Sequence, residues 1–300
     1  MKTHTQFKRH HGFTLVELMI SVTIGLVLLL FMSSLYFNSK ASTRINDDSA
    51  HLQEDGAYAL NLIGRNVMQA GYGKMLSGTT IDFVGQGITG YDDCTAGGTS
   101  ASYACVTSLP SFTISYQTDD AFDSNTGAGG DCTGATVGAV AASAATAETS
   151  TSPEVAAVDA VSAVVVNKFF VAKKKGESTA SLYCAGNGTS SVAQPILSNV
   201  DNLVLTYGVD KNGVYAPAQF LTKASDVNAL TMSGLNKDKW DQVITVSVCV
   251  EIHSANNVTG GSAKTYIKCD GKTGTATDNK LHTSLTRVFT LRNRATPSLS

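Results

Sequence analysis

Glu17 is the first residue of this 300-residue chain whose type and position call for chemistry. It is the only charged residue between Phe13 and Phe37, in a run that is otherwise strongly apolar. A carboxylate in hydrocarbon is costly unless something pairs with it. Gly12 marks the boundary between that run and a polar leader carrying Lys2, Lys8 and Arg9 together with His4, His10 and His11. The other chemically capable side chains are scattered. Asp92 and Asp93, and Asp119, Asp120 and Asp123, suggest calcium, but they lack the regular alternation and closing glutamate of an EF-hand loop and read as solvated loop acids. His253 and His282 have no partners at ligand spacing. There is no GxSxG, HExxH or Walker loop, so neither a catalytic residue nor a cofactor is expected. Asn187 and Asn257 match glycosylation sequons, to which no weight is given.

Composition narrows the class. Charged residues make up 15% of the chain and the formal net charge is -2, without the basic surplus of an electrostatic nucleic-acid binder. The six cysteines, Cys94, Cys105, Cys132, Cys184, Cys249 and Cys269, form no CxxC and have no histidine at zinc-finger spacing. No metal site is expected; three disulfides in an oxidising compartment fit better.

The element that must position Glu17 is a helix. From Phe13 to Phe37 the run is long enough to cross a hydrocarbon core of ~30 Å. With a basic leader before it, the positive-inside rule keeps the leader cytoplasmic and exports the rest. A secretory signal peptide would have a shorter core and a small-residue cleavage site, and "SSLYFNSKAST" is a poor match to one. A plain signal anchor explains length and orientation but leaves Glu17 unexplained. A processing site before the apolar run, at Gly12–Phe13, accounts for both. The stretch "GFTLVE", Gly12 to Glu17, resembles the class III signal of type IV pilins and type II secretion pseudopilins. The resemblance implies that prepilin peptidase cuts after Gly12 and methylates the new amine of Phe13. A bond beside glycine offers a protease cleft no Cβ to clash with. It also gives Glu17 a partner: the Phe13 ammonium lies one helical turn away, and the acid sits where the helix dipole favours negative charge. In a filament the family pairs this glutamate with a neighbour's N-terminal amine, which relieves burial and sets axial register.

Beyond Phe37 no proline interrupts the chain, and Ile45, Leu52, Leu60, Ile63 and Val67 recur at helical spacings. A stop is expected near Ala70, at Gly71 and Gly73. One unbroken helix from Phe13 to Ala70 would run ~87 Å. Gly56 and Gly64 would bend it, admit a close neighbour or simply be tolerated. The segment "LQEDGAYALNLIGRNVMQAGYG" resembles PilW-family minor pilins through Leu52, Gln53, Glu54, Gly56, Ala59, Leu60, Arg65, Ala70, Gly71 and Tyr72. Major pilins commonly carry a proline about two turns beyond Gly25, where this sequence reads "FMSSLY".

The remainder alternates like strands. "SFTISYQT" alternates Phe112, Ile114 and Tyr116; "AVVVNKFFVA" and "SLYC" follow; "VDNLVLTYGVD" places Leu203, Leu205, Tyr207 and Val209 on one face. In "DQVITVSVCVEIHS", Ile244, Val246, Val248, Val250 and Ile252 alternate with smaller or polar residues, and Leu285 to Leu291 closes the chain as a strand. Period-2 alternation implies an antiparallel sheet with one buried face, covered by the amphipathic half-helix. Arg287 and Arg292 read as solvated on an edge strand, in a segment that also resembles the final strand of PilW-like and J-type pseudopilin heads. Residues 127–162 are rich in Gly, Ala, Ser and Thr and read as a surface insertion. Cys94–Cys105 and Cys249–Cys269 would close local loops and Cys132–Cys184 would clamp the insertion, although six cysteines allow 15 connectivities.

The expected layout is α+β and pilin-like: leader 1–12, membrane or filament-core helix 13–37, amphipathic continuation 38–71, and a β-rich periplasmic head 72–300. The resemblance implies a minor pilin of the inner membrane and then the pilus. Its partners would be other minor pilins, the major pilin, prepilin peptidase, the inner-membrane assembly machinery and a tip adhesin. Assembly initiation would support motility, adhesion or DNA uptake. A J-type pseudopilin of type II secretion, or a tip module binding a ligand or DNA, are the alternatives.

Overall fold

A computed structural model describes residues 12, 14–73, 75–76, 80–81, 86–94, 102–118, 130–137, 164–211, 213–231, 238–257 and 263–294. Leader residues 1–11, Phe13, Asp119, Asp120, Asp123 and all of 127–162 except 130–137 lie outside them. The chain forms two units, Met1–Asp47 and Asp48–Ser300.

Helix α1, Leu15–Gln69, begins in the first unit and ends in the second. No break occurs through Phe31–Tyr36, where a proline would have removed a backbone donor. From Leu15 to Phe37 its large apolar side chains, among them Leu18, Ile24, Leu29 and Phe31, are at least half exposed. This helix is long and apolar enough to cross a membrane.

In the second unit, α1 becomes one-sided. Leu52, Gly56, Ala59, Leu60, Ile63, Gly64, Asn66 and Val67 are buried, a spacing that puts them on one stripe. The helix stops at the expected place: Gly71 has φ 70°, a left-handed conformation that glycine adopts without penalty. The Gly71 N–H donates to Ser115 O and the Gln117 N–H to Tyr72 O, both at 2.9 Å. The chain thus leaves the helix alongside a strand.

Two short strands, β1 (Met75–Leu76) and β2 (Thr80–Ile81), pair with each other. The first large sheet contains β3 (Ile88–Tyr91), β4 (Tyr103–Cys105), β5 (Ser111–Gln117), β6 (Val164–Lys174), β7 (Ser181–Ala185) and β8 (Gln194–Leu197). Its order is β3-β5-β6-β7-β8, with β4 against the far end of β6. The second sheet contains β9 (Val200–Val209), β10 (Gln219–Leu221), β11 (Val243–His253) and β14 (His282–Thr290), in the order β10-β9-β11-β14. A hairpin, β12 (Lys264–Ile267) and β13 (Thr273–Ala276), lies between β11 and β14 in sequence. A short helix α2 (Ala224–Asn228) and a 3-10 turn (Lys239–Gln242) follow β10. Every pairing is antiparallel.

One apolar core joins helix and sheets, including Leu60, Ile63, Phe112, Phe169, Leu205, Val248 and Phe289. Leu203, Leu205, Tyr207 and Val209 of β9 and Val246, Val248, Val250 and Ile252 of β11 line it, as their alternation implies, while a bulge after Val243 puts that residue in the core in place of Ile244. The expectation of one solvated face fails at the end of β11, where Cys249, Glu251 and His253 are buried too. Glu251 Oε1 accepts from Cys269 N at 2.9 Å and from Asn202 Nδ2 at 3.2 Å. Ser284 Oγ donates to Ile267 O at 2.7 Å. The segment carrying β12 and β13 therefore covers this outer face.

Candidate assembly site and the head that carries it

The N-terminal motif is local and exposed. Glu17 N donates to Thr14 Oγ1 at 3.3 Å, Thr14 Oγ1 donates to Glu17 Oε2 at 3.4 Å, and Leu18 N donates to Thr14 O at 3.2 Å. Thr14 is thus the N-cap of α1 and Glu17 its third residue, a variant of the capping box. The pattern Thr-x-x-Glu before an apolar run is its sequence signal, and reading the stretch only as a processing signal passes over it. Gly12 is exposed, with open space where a Cβ would stand. Nothing in the fold itself demands glycine at this position.

In the head, α1 meets β14. Arg287, exposed on the edge strand β14 as expected, also donates to Asn61 of the helix and so ties the two elements. Arg294 forms an ion pair with Asp241 at 2.7 Å. Asn66, on the buried stripe, accepts at Oδ1 from Asn167 Nδ2 at 2.6 Å and donates to Leu62 O at 2.9 Å. Asn167 Oδ1 in turn accepts from Cys132 N at 2.9 Å. This buried amide pair links helix, β6 and the turn at 130–137, and its polar atoms are matched rather than stranded.

Disulfides join Cys94 to Cys105, Cys132 to Cys184 and Cys249 to Cys269, with Cα atoms 5.8, 6.4 and 5.8 Å apart. Next to Cys132, the Asp131 carboxylate accepts from Thr133 N, Ala135 N and Gly188 N at 2.8–3.0 Å and from Thr133 Oγ1 at 2.6 Å. Burial alone would raise the Asp131 pKa; these donors outweigh it and hold it below the ordinary carboxylate value. Asp92 is similar. Burial pushes it up, but donors at Ser225 and Ala224 bring it below its usual value, so it serves the start of α2 rather than a cation. Asn187 accepts from Val166 N and donates to Val164 O, both at 2.9 Å, which commits that sequon side chain to the edge of β6.

His253 and His282, which have no partners in sequence, stand directly opposite each other on β11 and β14. Asp201 at the start of β9 lies against both. The expected strand began at Leu285, whereas β14 begins at His282, so the pairing register could not be read.

Three comparisons bear on kinship. Residues 168–293 match the family described as Type IV Pilus-assembly protein W. Residues 7–33 match the prokaryotic N-terminal methylation motif. A type IV-like pilin from Thermus thermophilus is similar in structure at a TM-score of 0.41 and 11% identity, covering 82% of this chain and 100% of its own. Among curated proteins none matches. The methylation motif holds the Thr14–Glu17 cap, and the family region runs from within β6 to just beyond β14. The chain is thus similar to the PilW family over residues 168–293 and to the N-terminal methylation motif over residues 7–33.

Proposed function

We propose that this protein is a minor pilin that helps initiate type IV pilus assembly, held in the inner membrane by α1 with its head in the periplasm until it enters the filament. The observation that carries the reading is the apolar first half of α1, exposed on all sides and headed by a single acid. Such a surface is stable only in lipid or against other helices. Cleavage after Gly12 gives Phe13 a free amine, which is then methylated, and Glu17 pairs with an N-terminal amine of its own or a neighbouring chain. Other minor pilins and the major pilin are the partners, prepilin peptidase the processing enzyme, and motility, adhesion or DNA uptake the downstream outcomes. The protein acts by packing rather than by catalysis. The PilW match supports a pilus role over a type II secretion role.

Intact mass of the protein purified from membranes of a piliated host tests the processing claim. A mature chain starting at methylated Phe13 is expected. Replacement of Gly12 should leave the precursor uncut, and a normally shortened product from that variant would refute the claim.

A further inference from the structure

Asp201, His253 and His282 take no part in the helix seam or the N-terminal motif, and they sit on three different strands. His253 ends β11, His282 opens β14 directly across from it, and Asp201 is the second residue of β9. Asp201 Oδ1 is 2.8 Å from His253 Nδ1, and Asp201 Oδ2 is 3.0 Å from His282 Nδ1. One ligand atom from each of the three lies within 4.8 Å of the others.

Hydrogen bonding does not satisfy this arrangement while His282 is a neutral imidazole. Both oxygens of Asp278 lie 3.0 Å from His282 Nε2. A neutral imidazole has one N–H. If His282 gives it to Asp278, its Nδ1 presents a lone pair toward the Asp201 carboxylate. Among the described residues that buried Nδ1 has no hydrogen-bond partner beyond its 3.0 Å approach to Asp201 Oδ2, and buried His253 Nε2 has none. The imidazoles are held firmly: their side chains are 8% and 12% exposed, and Tyr266 stacks on His282 at 5.1 Å. Asp201 is 33% exposed, so the cluster is open to solvent on its carboxylate side.

We propose that Asp201, His253 and His282 form a binding site for a first-row divalent metal ion such as zinc. Two nitrogens and a carboxylate oxygen are a zinc donor set, and three protein ligands leave a fourth position for water. Tetrahedral zinc holds its donors roughly 3.3 Å apart; the two Asp201–histidine contacts, 2.8 and 3.0 Å, are near that, and small side-chain shifts would bring the three donors, now within 4.8 Å of one another, onto one ion. Asp278 completes the pattern from outside: a metal-bound histidine commonly donates its other N–H to a carboxylate, which fixes ring and tautomer. The ion would brace β9, β11 and β14 at one end of the sheet. It extends the line of clamps along the outer face of β11 that begins with the Cys249–Cys269 disulfide and Glu251.

The test uses the full chain in detergent with His4, His10 and His11 changed to Gln, so that leader histidines take up no metal. Equilibrium dialysis against buffered zinc should show one ion per chain, with a rise in melting temperature that EDTA reverses. Cobalt should give visible ligand-field bands. His253→Gln and His282→Gln should each lose at least about tenfold in zinc affinity and abolish the bands. Asp278→Asn should weaken binding about 10–100-fold; this exposed change keeps the test valid if a histidine variant fails to fold. Calcium and magnesium, which prefer oxygen ligands, should not compete. Zinc binding that is absent, or equal in the parent and the Asp278→Asn or histidine variants, would overturn the proposal and leave a hydrogen-bonded strand clasp.

Discussion

Phe289 of β14 lies across the backbone of Gly64 so closely that a Cβ on Gly64 would overlap its ring, and Leu285 sits against Gly56 in the same way, 2.7 Å from where a Cβ would be. The two spacings match: eight helical residues rise about 12 Å and four strand residues about 13 Å. Helix and strand thus meet twice in register. Of the expectations for these glycines, bending, close approach or mere tolerance, the structure shows close approach.

In an exposed helix interior, Gly→Ala would stabilise by about 1 kcal/mol. Here Gly64→Ala should instead destabilise by roughly 1–3 kcal/mol, because the ring has no room to retreat within a packed core. Thermal or denaturant unfolding of the full chain measures this. Adding Phe289→Leu should recover part of the loss, and a stabilising Gly64→Ala would show that the seam is loose.

Tyr207 makes the opposite case. Its ring is buried edge-on to Trp240, with centroids 5.1 Å apart, and its hydroxyl has no hydrogen-bond partner among the described residues. Burial pushes its pKa far up, so it stays neutral. Removing an unsatisfied polar group leaves the packing intact. Tyr207→Phe should therefore unfold at the same temperature as the parent or higher, and a loss above about 1 kcal/mol would imply a partner for that hydroxyl.

Much of this architecture was legible because it follows from period. The helix run, its stop at Gly71, and the faces of β5, β9 and β11 are set by which residues alternate. What was not legible depends on register and on coverage from far along the chain. Arg287 could be read as tied to Asn61 only once β14 was placed on the helix. His253 and His282 become neighbours only through the pairing of β11 with β14, and their burial depends on the segment that folds over the outer face. Asn66 and Asn167, separated by 101 residues, carry no sequence signal of their contact.

The disulfides should differ in weight. In the chain-entropy picture, the 52-residue separation of Cys132 and Cys184 corresponds to about 4 kcal/mol, against about 3 for the 11-residue separation of Cys94 and Cys105. Paired Cys→Ala changes, compared by denaturant midpoint, should rank in that order. The reverse ranking would place the dominant effect in native packing around the short loop.

Asp131 gives the head an acid-sensitive contact. Its pKa is lowered in the folded state, below an unfolded value of about 3.9. Its contribution is thus fully present above that value and lost as pH falls through the lower, folded one. Asp131→Asn should remove this part of the acid limb: the fall in melting temperature below about pH 4 should be shallower, from a lower starting value. Carbon-detected NMR titration would check the direction directly, and an Asp131 carboxyl titrating above the unfolded value would contradict it.

Thr14 and Glu17 allow the local and the intermolecular roles of the acid to be separated. The capping contact needs an oxygen at position 17 and a hydroxyl at position 14, and it stabilises the helix start by about 1 kcal/mol. Pairing with an amine needs the negative charge. Glu17→Gln keeps a hydrogen-bonding side chain and loses the charge, whereas Thr14→Ala keeps the charge and loses the cap. If charge pairing governs assembly, Glu17→Gln and Glu17→Ala should both reduce incorporation into pili strongly, and Thr14→Ala only slightly, with cleavage after Gly12 intact in all three. Immunoblots of sheared pili against membrane fractions give the ratio. Normal incorporation of Glu17→Gln alongside loss in Thr14→Ala would assign Glu17 to the helix cap and leave the N-terminal amine without this partner.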